Sequence, residues 1–340
     1  MGAPTSGFGD PTVSWSILLH AELAAQPDPA SVRRGLDEVC ARFPHLGPTP
    51  DVAEAESLDI LRHEFAETAY LPDDSLVRIA VGPRELLIAA HHGACDGLGL
   101  LALLGAAMDI PVTSGAVGVA DRPAGESFLR SAARRVTEAL LHPPARVEPS
   151  MHGQQAGELL LTRHEPRIRA GTSKLTAAAA TAVTAWNQRH DAGADRLVAA
   201  VGVSRRGGDD IAPRDESAFL RLPLESTDQT HISQALAGQA PEPRFPDSPG
   251  LLTTLGTRLL ANRLGSSFLV SNLGAASTSD VVRTLAFHPA ASGRSAVAFG
   301  AVTVADTTTI TMRARARDFD PEAAGTLLDD LVNELRGTTR

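Results

Sequence analysis

Cysteine is nearly absent: Cys40 and Cys95 are the two thiols in 340 residues. They cannot build a disulfide framework, and the expectation is a reduced, cytoplasmic protein. Aromatic residues amount to 4%, so the core has to be filled by Leu, Val and the abundant Ala. Positive charge is short as well. The 31 Lys and Arg set against 40 Asp and Glu leave a formal charge of -9. That balance denies nucleic acid the basic face it needs and gives no reason to expect an anionic membrane as partner. No run of about 18 apolar residues exists, so no membrane span is expected. Met1 to Gly7 lack the basic and apolar regions of a secretory signal. HExxH and CxxC patterns are also missing, and no metal site is expected.

What remains is an ordinary globular composition, 43% hydrophobic and 21% charged. The length exceeds a comfortable single core and suggests two lobes. Proline and glycine punctuate Pro143–Gly157 and place the division there, with lobes of residues 1–148 and 149–340.

Val13, Trp15, Ile17 and Leu19 alternate into a half-buried strand ending at His20. Asp28-Pro29 supplies an N-cap and first-turn proline for a helix carrying Val32, Leu36, Val39 and Phe43, stopped by Pro44. Residues 47–57 read as a loop and His63–Leu71 as a strand. Ser75–Val81 and Glu85–Ala90 form a hairpin around Gly82-Pro83. Asp109–Gly125 reads as a connector, and Ser127–Leu141 as a helix with Phe128, Ala132, Val136 and Leu140 on one stripe.

The second half restarts with a strand at Leu159–Thr162. Thr172 or Ser173 caps an Ala-rich helix running to Arg189. Strands follow at Leu197–Val203 and Ser217–Leu224, then a proline-rich loop at 239–249 and a helix at Leu251–Leu264. Ser267–Gly274 reads as strand into turn, Ala296–Val304 and Thr307–Ala314 as a hairpin, and Asp320-Pro321 as the opening of a last helix.

The stretch that carries chemistry is Ala89-Ala90-His91-His92-Gly93-Ala94-Cys95-Asp96-Gly97-Leu98-Gly99. A buried-looking strand, Leu86–Ala90, leads in, and a core-facing helix, Leu98 and Leu100–Leu104, leads out. Such a junction lets rigid elements hold a reacting group still while exposing it. Imidazole titrates near working pH, which suits His92 to general-base work. The residues alone leave other readings open. The His pair with Asp96 supplies two or three metal ligands, Cys95 beside His92 resembles a thiol nucleophile or a small buried Cys, and both histidines can be structural.

His91-His92-Gly93-Ala94-Cys95-Asp96-Gly97 fits the pattern HHxxxDG and resembles the superfamily of nonribosomal peptide condensation domains, chloramphenicol acetyltransferase and related acyltransferases. Phe43-Pro44-His45-Leu46, Ser204-Arg205-Arg206 and Ser271-Asn272-Leu273-Gly274 echo further segments of that superfamily. The resemblance implies an α/β (α+β) fold of two chloramphenicol-acetyltransferase-like lobes with mixed sheets and a tunnel between them.

It further implies that His92 is the general base and that Asp96 is a structural acid braced by an arginine, with Arg206 preferred and Arg205 next. His91 and Gly93 would support the loop, and the Gly97 N–H would face a developing oxyanion. Asn272, Ser271 and Cys95 are the substrate-binding candidates. The implied reaction moves an acyl group from a thioester, on coenzyme A or a carrier-protein phosphopantetheine arm, to a small-molecule hydroxyl or amine. No tightly bound cofactor is needed, and the setting would be natural-product biosynthesis. A non-catalytic module holding a carrier-bound intermediate, or a thioester cyclase or epimerase, are the alternatives. The chain is shorter than typical condensation domains and lacks the DFGWG segment of the plant acyltransferases, which leaves the substrate open.

Overall fold

Ser16–Leu23, mostly apolar and buried on both faces over its first half, forms strand β1, and the computed structural model describes residues 14–71, 74–120, 122–243, 265–291 and 296–337. β2 (Val52–Glu54), β3 (Val77–Gly82) and β4 (Glu85–His91) join β1 in a mixed sheet ordered β10-β1-β4-β3-β2, where β10 is Val282–His288. The second sheet runs β6-β12-β11-β9-β7-β8: β6 Glu158–Pro166, β7 Val198–Ser204, β8 Ser217–Pro223, β9 Phe268–Ser277, β11 Ala298–Val304 and β12 Thr307–Arg315. A two-residue strand, β5 (Thr113–Ser114), pairs with β9. β9 lies parallel to both β7 and β11, while β11–β12 and β12–β6 are antiparallel.

Helices cover these sheets where their apolar residues recur at helical spacing. Helix α1 (Pro29–Arg42) starts where Asp28 accepts from the N–H groups of Ala30 and Ser31, and it buries Val32, Leu36, Val39 and Cys40. α3 (Gly97–Met108) is apolar nearly all round and buried, beneath α1. The two come so close at Gly35 that a Cβ there would meet the Ala106 carbonyl at 1.9 Å. The opposite face of the first sheet is covered by α2 (Asp59–Glu67), through Leu58, Phe65 and Ala66.

α4 (Phe128–Leu141) connects the halves. α5 (Thr172–Arg189), α6 (Gln229–Gly238) and α7 (Pro321–Gly337) pack on the second sheet. Alanine suits α5, because Ala177–Ala180 and Ala182 are all buried against that sheet and its helices.

Several expectations change on meeting the structure. His63–Leu71 is not a strand, since Leu58, Phe65 and Ala66 sit on one helical face and α2 ends at Glu67. The loop at 47–57 contains β2, and the connector at 109–125 contains β5. β10 and α6 were not anticipated. α5 is capped by Gly171, with Thr172 and Ser173 inside its first turn. Ser271–Gly274 does not end in a turn: β9 continues to Ser277, and Gly274, at φ 74°, sits where its register against β11 shifts. A Cβ there would meet Ala116 N at 2.7 Å. Leu140 on the α4 stripe is exposed. The helix expected at Leu251–Leu264 and the strand start at Val13 lie outside the described residues.

Two strands pair with a sheet built mainly from the other half of the chain. β10 crosses from the second half into the first sheet, and β5 from the first half into the second. Arg313 of β12 ties the lobes further: fully buried, it donates to the carbonyls of Ser16 and Ala66 and pairs with Glu158.

Candidate active site

β4 delivers the HHxxxDG loop between two neighbours. His91 N–H donates to Leu76 O at 2.9 Å and His92 N–H to Trp15 O at 2.8 Å, so the loop is pinned from both flanking segments. It then turns tightly, with Ala94 N and Cys95 N both donating to His91 O at 2.9 and 3.2 Å. His91 is 5% exposed, and its Nδ1 accepts from Gly93 N at 3.1 Å. Burial, followed by the neighbouring His92, pushes its pKa down to about 4. The neutral ring stands edge-on to Tyr70, 5.4 Å between centroids. His91 therefore builds the loop.

Asp96 stands in the cavity wall but is only 4% exposed, its carboxylate bonded into the protein. Its Oδ1 accepts from Arg206 Nη2 at 2.7 Å and from Gly99 N at 2.8 Å, capping α3. Oδ2 accepts from Glu216 N at 3.0 Å. Burial pushes the Asp96 carboxyl upward, while Arg206 and the two backbone donors pull it back. Arg205 does not reach this pair: its N–H donates to Glu216 O at 2.7 Å, and its side chain lines a separate recess with Arg122, Arg206 and Arg214. Cys95 is fully buried, its Sγ 3.4 Å from Asp96 O and close under Gly99, and burial raises its thiol pKa well above the usual range. It takes no part in the cavity wall.

His92 opens into a cavity of about 70 Å³ between the two sheets. Gly97 and Leu98 at the start of α3, Phe219 of β8, Ser271 and Asn272 of β9 and Phe287 of β10 complete much of its wall. The first-turn N–H of Gly97 has no partner within the helix, which leaves a donor and the positive end of the helix at the cavity. A Cβ at Gly97 would lie 2.4 Å from Leu273 Cδ2 and 3.2 Å from Phe287 Cζ, so the Leu273 side chain would have to move to admit one. Ser271 lies opposite Gly202 on β7 and Gly300 on β11, and it faces the cavity. Asn272 reaches the wall too, but its amide is committed: Nδ2 donates to Ala170 O at 2.6 Å, and Oδ1 accepts from Gly274 N at 2.9 Å.

A second cavity of about 700 Å³ shares Ala116, Gly202, Val203, Ser204 and Asn272 with the first. Arg122, Arg169 and the first turn of α5 are in its wall. One group beside the His92 ring was missed from the sequence. Asp215, just before β8, places Oδ1 3.9 Å from His92 Nδ1. Its only sequence signal was a polar, acidic loop after Arg206. No cluster of metal-binding side chains occurs among the described residues, and none of their helices is long and apolar enough to cross a membrane.

Two lobes with mixed sheets and this loop at their seam define a fold class: that of the condensation-type domains of nonribosomal peptide synthetases. Three solved structures make the match concrete. The epimerization domain from the third module of tyrocidine synthetase B superposes at TM-score 0.53 and 12% identity, over 99% of this chain and 92% of that one. A double mutant of the starter condensation domain of rhizomide synthetase, in complex with C8-CoA and Leu-SNAC, gives 0.58 and 14% over the same shares. The cyclization-docking bidomain from Sorangium cellulosum gives 0.60 and 13%, over 99% of this chain and 83% of that one. No family model and no curated protein matches the sequence.

Proposed function

We propose that the chain is an acyltransferase that moves an acyl group from a thioester to a hydroxyl or amine acceptor. The observation that carries this reading is the division of labour in the loop. His92 stands in the wall of the inter-lobe cavity with its side chain 15% exposed, while Asp96 is locked to Arg206 and His91 accepts from Gly93. A general base needs that exposure; a structural histidine does not.

In the proposed reaction the acceptor X–H attacks the thioester carbonyl as His92 takes its proton. The tetrahedral oxyanion lies toward the Gly97 N–H at the head of α3. When the carbonyl reforms, the C–S bond breaks and the thiolate leaves with the proton returned by His92. No covalent acyl-enzyme forms. The second cavity offers room for a pantetheine arm, and Arg122 and Arg169 in its wall suit the phosphates of coenzyme A or of a carrier-bound arm.

The test is thiol release and intact product mass with a panel of acyl-coenzyme A and acyl-carrier donors plus acceptor pools, for wild type and His92→Ala. Losing a positioned base costs about 10²–10⁴ in rate. Acceptor-dependent thiol release that collapses in His92→Ala supports acyl transfer. Thiol release that needs no acceptor and gives a cyclised acyl chain, or a donor thioester of unchanged mass but inverted configuration, would replace the reaction but keep the base. Donor binding without turnover, unchanged in the variant, would make the chain a non-catalytic module.

A further inference from the structure

The carboxylate of the HHxxxDG motif is not the one that faces the base. Asp96 has its oxygens occupied by Arg206, Gly99 and Glu216 and serves the loop's architecture. The carboxylate beside His92 is Asp215, 123 positions later in the chain and outside the motif. We propose that Asp215 is the positioning residue of His92: it holds the imidazole by Nδ1–H and so makes Nε2 the nitrogen that takes the acceptor's proton.

This inference rests on the acyl-transfer reading for its consequence, and on geometry for its substance. The segment that carries Asp215 is fastened to the loop from every side. His45 Nε2–H donates to Pro213 O at 2.9 Å, Asp96 N to Arg214 O at 3.3 Å, and Glu216 N to Asp96 Oδ2 at 3.0 Å. Arg205 N–H donates to Glu216 O at 2.7 Å. Asp215 is thus flanked by two residues that each bond to Asp96, four positions from His92, and cannot drift from the base without breaking that pairing.

Its carboxylate is aimed as well as placed. Ser217 donates to Oδ1 through both its N–H, at 3.0 Å, and its hydroxyl, at 2.6 Å. The side chains of His92 and Asp215 are 15% and 27% exposed, so solvent competes weakly for the pair. Nδ1 to Oδ1 is 3.9 Å, about 1 Å beyond hydrogen-bond length. Catalytic hydrogen bonds are often long before substrate is bound and tighten in the complex. A tilt of the His92 ring toward Oδ1 would close this one with both Ser217 bonds kept. Three charged or titratable groups nearby have partners of their own or no charge. Arg206 bonds to Asp96, Arg214 donates to Asp210 at 2.7 Å, and the adjacent His91 is held neutral by burial.

A carboxylate on Nδ1–H fixes the tautomer, orients Nε2 into the cavity and stabilises the imidazolium formed in the reaction. The test reads the tautomer directly. With ¹⁵N-histidine-labelled protein and His92→Ala to assign the signal, wild type is expected to show His92 as the Nδ1–H form. In Asp215→Ala and Asp215→Leu, which offer no acceptor, the signal is expected to move toward the Nε2–H form that free imidazole prefers. With a turnover assay in hand, kcat should fall about 10²-fold while KM for the donor changes by less than about 3-fold, with partial recovery in Asp215→Glu.

An unchanged His92 tautomer in both variants overturns the inference, even where turnover requires His92. A tautomer that follows Asp215 upholds it, even where thiol release is never seen; the acyl-transfer reading then falls alone.

Discussion

Replacing Asp96 by alanine removes a carboxylate that three groups share, and the structure lets the cost be worked out. Arg206 Nη2 loses its 2.7 Å partner and keeps only the carbonyls of Ala212 and Arg214, at 2.9 and 3.2 Å. Its guanidinium stays buried, with a side chain 6% exposed. Leaving a buried charge without its counter-ion costs about 3–5 kcal/mol. The Gly99 and Glu216 N–H groups lose their acceptor as well, and loss of the α3 cap costs about 1 kcal/mol. The terms overlap, because one relaxation serves all three groups, so the expected loss is about 4 kcal/mol. Domains are commonly stable by only about 5–15 kcal/mol, so this is a large share.

The assay is urea unfolding followed by circular dichroism for Asp96→Ala, Arg206→Met and the double variant. The double variant should cost less than the sum of the singles, because neither charge is then left alone in the interior. A loss below about 1 kcal/mol in Asp96→Ala, or strict additivity, would refute the brace.

Acid should weaken the fold through the buried histidines on the α2 side of the first sheet. Burial, reinforced by Arg62, holds His20 down to about 4, and burial holds the wholly enclosed His288 well below its usual value. The unfolded chain takes up these protons near pH 6.5 while the folded chain refuses them. Stability should therefore be full above pH 6.5 and fall as pH drops toward 4, by up to about 3 kcal/mol from His20 alone. Urea midpoints at pH 7 and pH 5 for wild type and His20→Gln measure this, and the variant should lose less on acidification. Arg313→Met should cost about 3–5 kcal/mol, because it strands Glu158 and the carbonyls of Ser16 and Ala66 at the lobe seam. Thermal unfolding that is unchanged in Arg313→Met would show that the lobes are held without this tie.

The loop was legible because its chemistry is local: two imidazoles, an acid and glycines stand within seven residues, between an apolar strand and an apolar helix. β11 and β12 were legible as a hairpin turning at Ala305-Asp306, and α1 from its cap and the spacing of Val32, Leu36 and Val39. What escaped depends on contacts between distant parts of the chain. β10 gains its meaning only from pairing with β1, more than 250 positions earlier. α6 docks through Ile232 and the half-buried Ala235 and Leu236, a stripe of three in ten residues that is too short to stand out in the sequence. α2 was taken for a strand because the window from His63 cut off Leu58, one of the residues by which it docks. Asp215 sat in a loop whose composition signals only solvent. Nothing near it in sequence announces an imidazole 3.9 Å away.

The most direct measurement on the account's central claim is covalent trapping with bromoacetyl-pantetheine, which carries the arm common to coenzyme A and carrier proteins. A thioester seated in the cavity brings its haloacetyl carbon to the base, and alkylation marks the nitrogen that would take the acceptor's proton. The account predicts one adduct per chain, mapped by peptide mass spectrometry to His92 and absent from His92→Ala. Modification at other residues with His92 untouched would contradict a thioester site at this cavity.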